Sequence, residues 1–126
     1  MKTLTKAEEQ IMQILWGLKE GVVKDVVEQF EEPRPAYTTV ATVLKVLENK
    51  GFVSCRKIGN TNLFFPEVKK QEYARFQFGS LLQDYFHGSF PKLATFFAKE
   101  NNLSISELEE MLKITENELR KDDNKE

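Results

Sequence analysis

A chain of 126 residues, 30% of them charged and 40% hydrophobic, has the size of one compact domain or two very small ones. It is shorter than most enzymes, its apolar runs are too brief to span a membrane, and it is too rich in apolar residues for disorder. The net charge of -2 argues against indiscriminate binding to polyanions. The charge is unevenly placed, however: residues 1–32 carry four basic and seven acidic groups, residues 33–75 eight and three, and residues 76–126 six and ten. Positive charge is concentrated in the middle third, where a phosphate backbone would be met.

The chain begins Met1-Lys2-Thr3-Leu4 and passes straight into a polar helix, without the basic stretch, apolar segment and cleavage site of an export signal, so a cytoplasmic location is expected. Thr5 and Glu8 form a capping box, and Leu4, Ala7, Ile11, Ile14, Leu15 and Leu18 recur at helical spacing until Gly17 and Gly21 bracket the end. Val22 to Phe30 reads as a second, short helix with an apolar stripe, stopped by Glu31-Glu32-Pro33-Arg34-Pro35. Tyr37 to Lys50 is rich in valine and threonine, a composition that favours a strand. Its period predicts a helix instead: Val40, Val43, Leu44 and Leu47 fall at i, i+3, i+4 and i+7, and Gly51 stands where a C-cap glycine belongs. Phe52 to Ile58 and Thr61 to Phe65 are β-favouring runs joined by Gly59-Asn60, a tight hairpin ended by Pro66.

Three helices followed by a two-stranded hairpin describe a winged helix-turn-helix over residues 1–68. From about Lys69 the pattern changes to long helices with aromatic stripes, broken at Gly88 and capped again by Ser104 and Glu107, over residues 69–120. Lys121 to Glu126 reads as a polar, frayed tail. The expected fold is mainly α: an N-terminal winged helix with a two-stranded wing and a C-terminal helical dimerisation domain. Three short helices seldom bury so many large side chains unaided. Tyr73, Phe76, Leu82, Phe86, Phe90, Leu93, Phe97, Leu108 and Leu112 are therefore assigned to a core shared with a two-fold partner.

In a helix-turn-helix the second helix of the pair lies in the major groove, with an apolar inner face and a short, polar, donor-rich outer one. Opposite Val40, Val43, Leu44 and Leu47 the third helix carries Thr38, Thr42, Lys45 and Asn49, with Thr39 on the flank and nothing acidic on that face. Threonine methyls can meet thymine methyls, hydroxyls can bond bases or phosphates, and lysine can reach guanine or phosphate oxygens. Arg56, Lys57 and Asn60 give the hairpin a polar, cationic tip, with Asn62 following. These residues form the candidate DNA-binding set, and a capping or solvated role is the competing explanation for each. A winged helix that docks a protein through the same basic strip is the alternative function. Salt dependence separates the two, since ~6 to 10 phosphate contacts cost about 10³ to 10⁵ in affinity between 50 and 200 mM salt.

Catalysis finds no support. There is one histidine, His87, no glycine-rich phosphate loop, and no cluster of cysteine, histidine and carboxylates at ligand spacing; neither a metal nor another cofactor is expected. Cys55 is the single cysteine, with no internal disulfide partner and no helix N-terminus beside it to activate the thiol.

Four stretches carry a family resemblance: Leu4-Thr5 with Glu8 and Ile11-Met12 to Leu15-Trp16; Tyr37-Thr38-Thr39-Val40 with Thr42 and Leu44; Leu47 with Lys50-Gly51-Phe52; and Lys57 with Gly59, Phe64 and Pro66. On these the chain resembles the penicillinase-repressor (BlaI/MecI/CopY) family over nearly its whole length. The resemblance implies a homodimeric transcriptional repressor whose C-terminal helices interlock, binding dyad-symmetric operators upstream of resistance genes and its own operon. It also implies groove contacts by Thr38, Thr39, Thr42 and Lys45 and wing contacts by Arg56 and Lys57. Many members carry Gly-Arg where this chain has Gly59-Asn60, and tyrosine where Phe64 stands. In β-lactam-responsive members a membrane sensor metalloprotease cuts the C-terminal domain at an Asn-Phe bond, and the corresponding place here is Phe96-Phe97. The cysteine-rich tail of the copper-responsive branch is absent, which disfavours copper sensing.

Overall fold

The computed structural model describes residues 1–124. Its elements run α1 (Lys6–Leu18), α2 (Val23–Glu28), α3 (Tyr37–Asn49), β1 (Val53–Ile58), β2 (Thr61–Pro66), α4 (Lys70–Phe86), α5 (Phe90–Glu100) and α6 (Ile105–Asp123). This is the mainly helical fold expected, with a two-stranded antiparallel sheet after the third helix. The chain divides into two compact units, Met1–Phe78 and a second beginning at Gly79, so the division falls within α4, ten residues later than the predicted boundary at 68.

In the first unit, α1 opens with the capping box: the Thr5 side chain accepts the Glu8 N–H and the Glu8 carboxylate accepts the Thr5 N–H at 2.8 Å. Its end departs from the predicted glycine bracket. The left-handed residue is Lys19, at φ 72°, whose N–H bonds the Leu15 carbonyl. Gly21 instead pairs with Phe64 by two backbone hydrogen bonds of 2.9 and 2.8 Å, adding a bridge to the edge of the hairpin. A one-residue bridge leaves no alternating pattern for a sequence reading to find. The second helix spans six residues and ends before Phe30; Asp25 accepts the Val22 N–H at its start.

Leu4, Ile11, Met12, Leu15, Val26, Val40, Leu44, Leu47, Phe52 and Val53 make the core of this unit. The buried residues of α3, Val40, Leu44 and Leu47, lie on the stripe that its period predicts. Gly51, at φ 82°, turns the chain from α3 into β1. The hairpin pairs Ile58 with Thr61, leaving Gly59 and Asn60 as a two-residue turn; only Gly59 has positive φ, the arrangement of a type II′ turn. Pro66 closes β2 as its last paired residue, opposite Val53.

Two residues expected at a subunit contact pack against the core of the first unit. Tyr73 is 3% exposed in the first unit: its hydroxyl accepts the Leu4 N–H at 2.9 Å and its ring packs against Trp16, Phe52 and Phe76. Phe76 is partly buried against the same core. The early turns of α4 thus complete the winged helix, where the Tyr73 ring is buried and the Phe76 ring partly so. Trp16 donates its indole N–H to the Val68 carbonyl at 2.8 Å, tying α1 to the segment that follows the wing.

In the second unit no residue of α5 or α6 is buried. Tyr85, Phe90, Phe96, Phe97, Ile105, Leu112, Ile114 and Leu119 are exposed, and Leu81, Tyr85, Phe86, Leu93, Phe96 and Phe97 line an apolar groove of about 440 Å³. Leu82, Phe86, Leu93 and Leu108 are half-buried. Helix α6 is capped by Ser104 and Glu107 as predicted, but it continues to Asp123, so Lys121, Asp122 and Asp123 are helical where a frayed tail was expected. Arg120 and Lys121 explain the extension: they pair with Glu116 and Glu118 and suit the negative end of the helix. Asn124 is the C-cap of that helix, and residues 125–126 of the predicted tail lie outside the described residues.

Candidate nucleic-acid interface

All of the predicted DNA-site residues lie in the first unit, and one cleft brings two of them, Lys45 and Asn60, together. Thr38, Thr39, Thr42, Lys45 and Asn49 on α3 and Arg56, Lys57 and Asn60 on the hairpin are all exposed. Helix and wing meet at a cleft of about 260 Å³ lined by Tyr37, Ala41 and Lys45 from α3 and by Asn60, Thr61, Asn62 and Phe64 from the hairpin, with Val23 at its base. Lys45 and Asn60 therefore line the same cleft from the helix and from the wing. Thr38, Thr42 and Asn49 lie along the helix beyond it.

Helical geometry explains this display. With Val40, Leu44 and Leu47 buried, 100° per residue turns Thr38, Thr42, Lys45 and Asn49 away from the core. Ala36 is the N-cap of α3 and makes no side-chain cap bond, so neither Thr38 nor Thr39 is engaged as the cap. Thr42 Oγ1 instead donates to the Thr38 carbonyl at 2.9 Å, which leaves its methyl and oxygen lone pairs for an incoming group.

The cations are not equally placed. Lys45 Nζ lies 3.3 Å from Glu48 Oε1, one turn along the same helix. Arg56 lies 3.4 Å from Glu20 and stacks over the Phe65 ring at 5.8 Å, which orients its guanidinium along the hairpin. The expected acid-free surface thus holds for the α3 face itself but not for its border, where Glu48 and Glu20 stand. Glu48 Oε2 also accepts the Cys55 thiol at 3.1 Å. This hydrogen bond, helped by Lys45, holds the Glu48 carboxyl below its ordinary range. The same bond and burial push the Cys55 thiol up, which suits a weakly reactive sulfur.

Sequence reasoning left out Tyr37, Ala41 and Thr61 from the site. Tyr37 and Ala41 precede Lys45 at i−8 and i−4, one stripe along α3, and that spacing was available to mark them. Thr61 and Asn62 join the cleft because a two-residue turn carries both sides of the hairpin tip toward it. Among the described residues no group of three or more histidine, cysteine or carboxylate side chains is arranged to hold a metal ion, and no helix is long and apolar enough to cross a membrane.

Residues 4–117 match the penicillinase repressor family, from the start of α1 through most of α6. The chain belongs to that family. A penicillinase repressor of Bacillus licheniformis is 23% identical over 114 residues, covering 90% of this chain and 89% of its own. The methicillin resistance regulatory protein MecI of Mammaliicoccus sciuri is 23% identical over 112 residues, covering 88% and 91%. Among solved structures, the crystal structure of a possible transcriptional regulator for arsenical resistance matches at 25% identity with a TM-score of 0.45, covering 60% of this chain and 79% of that one.

Proposed function

We propose that this penicillinase repressor family chain is a cytoplasmic, sequence-specific DNA-binding repressor that acts as a homodimer on a dyad-symmetric operator, controlling resistance genes and its own operon. The observation that carries the reading is the cleft in which Lys45, on the outer face of α3, meets the polar hairpin turn at Asn60, Thr61 and Asn62, with Arg56 and Lys57 exposed on the adjoining strand. Helix α3 enters the major groove with Thr38, Thr39, Thr42, Lys45 and Asn49 toward base edges and nearby phosphates, and Arg56, Lys57 and Asn60 follow the adjacent backbone. The chain performs no catalysis and needs no cofactor.

The second unit supports the dimer. Two helices with no buried residue and a row of exposed Phe, Leu and Ile side chains are unstable in water unless something covers them, and a second copy offers the same apolar surface in return. Phe90, Phe97 and Leu112, with the half-buried Leu82, Phe86, Leu93 and Leu108, form that contact. Two-fold symmetry then sets the half-sites about one helical turn apart, ~34 Å, or a multiple of it. A membrane sensor metalloprotease is the partner proposed for induction. Phe96 and Phe97 lie within α5, so cutting between them requires that helix to unwind locally first.

Footprinting of the purified protein on its own upstream region tests the function, with two protected half-sites expected. Titration of the same duplex from 50 to 200 mM salt should lower the affinity by about 10³ to 10⁵ if ~6 to 10 phosphates are contacted. Affinity unmoved by salt would instead indicate a protein-docking winged helix.

A further inference from the structure

We infer that Glu48 is an internal competitor for DNA phosphate: it holds the Lys45 ammonium in the free protein, and a duplex must displace it before Lys45 can engage. The inference rests on the DNA-binding function proposed above and adds a device that sets how tightly the protein grips DNA of any sequence.

The contacts are unequal in a way that permits the exchange. Lys45 is 71% exposed and Glu48 28% exposed, with Nζ 3.3 Å from Oε1. Lys45 can swing away about its flexible stem while Glu48 stays seated against β1. When it leaves, Glu48 retains a donor, because the Cys55 thiol bonds its other oxygen at 3.1 Å. The departure therefore does not strand a half-buried carboxylate. Arg56 on the hairpin and Glu20, just after α1, form a second exposed ion pair beside the site, 3.4 Å apart. Lys57, by contrast, has no carboxylate within ion-pair reach among the described residues. An exposed ion pair broken on binding subtracts only a small factor from affinity, about two- to fivefold.

The test is a double-mutant cycle read by fluorescence anisotropy on a short mixed-sequence duplex at one fixed salt concentration, using wild type, Glu48→Gln, Lys45→Met and the double variant. Glu48→Gln should tighten binding about two- to fivefold, and the same substitution should change nothing once Lys45 is methionine. Tightening that persists beside Lys45→Met would be the general effect of removing a negative charge and would overturn the inference, as would no tightening at all. If Glu48→Gln does not fold, the parallel cycle of Glu20→Gln with Arg56→Met decides by the same criterion at a pair whose side chains are 55% and 50% exposed. A wild type that binds no duplex removes the DNA-binding function and this inference together. A wild type that binds, with uncoupled substitutions, removes this inference alone.

Discussion

Lys50 Nζ lies 2.8 Å from Glu8 Oε2 and 3.0 Å from Oε1, joining the C-cap of α3 to the first turn of α1. Glu8 is buried, and its Oε1 also accepts the Thr5 N–H, so one carboxylate both caps α1 and fixes the end of α3. Burial alone would raise the Glu8 pKa, but the hydrogen bonds from Lys50 and Thr5 outweigh it and hold the carboxyl below its ordinary range. A carboxylate with a depressed folded value contributes its stability in full above the ordinary carboxylate range and loses it as pH falls through the depressed value. Lys50→Ala leaves Glu8 without its cation and should cost about 2 to 3 kcal/mol at neutral pH. That cost should shrink in acid, where Glu8 can protonate. Urea unfolding of both proteins at neutral and acid pH checks this; a difference independent of pH would remove the ion pair from the account.

Tyr73→Phe isolates the hydroxyl that accepts the Leu4 N–H while leaving the ring among Trp16, Phe52 and Phe76. A buried N–H deprived of its acceptor costs about 1 to 3 kcal/mol. The expected result is a lower unfolding midpoint with an unchanged monomer–dimer constant. A weakened dimer with normal stability would return Tyr73 to the subunit contact.

Glu8 and Tyr73 mark where the sequence is readable and where it is not. The capping boxes, the apolar period of α3 and the Gly59-Asn60 turn are local patterns, and each leaves its signature within a few residues. The outward direction of Thr38, Thr42, Lys45 and Asn49 follows from that period alone. The Glu8–Lys50 pair, the Gly21 bridge to Phe64 and the burial of Tyr73 join positions 42, 43 and 69 residues apart, and no local pattern encodes such partners. An aromatic stripe says that something will cover it. It does not say whether the cover belongs to the same chain, which is why the pattern groups Tyr73 and Phe76 with Phe90 and Leu112.

Leu112 tests the remaining part of that grouping. It is 68% exposed on α6, so a polar residue there leaves the isolated chain little changed. In a dimer, Leu112→Glu would place a charge in an apolar contact, where burial without a partner is severely unfavourable. Sedimentation should give a dimer for wild type and a monomer for Leu112→Glu, with helical content retained. Loss of operator affinity should follow, because one half-site supplies only part of the contacts. A variant that remains dimeric would place the subunit contact elsewhere.

Thr42 is the sharpest probe of sequence reading on α3. Its hydroxyl proton is directed to the Thr38 carbonyl, so the oxygen can only accept from a base, and the methyl is left with a thymine methyl as its natural counterpart. Burying one such methyl is worth about 0.8 kcal/mol, or roughly fourfold in affinity. Replacing operator thymines by deoxyuridine removes the counterpart without changing charge. Wild type should lose about fourfold on the substituted operator at the position Thr42 faces, whereas Thr42→Ser, which keeps the hydroxyl and lacks the methyl, should bind both operators alike. Lys45→Ala should instead weaken every duplex by a similar factor, since a phosphate contact is insensitive to the base beside it. Equal losses by wild type and Thr42→Ser on the uracil operator would assign the methyl to solvent and leave Thr42 a helix residue with no part in discrimination.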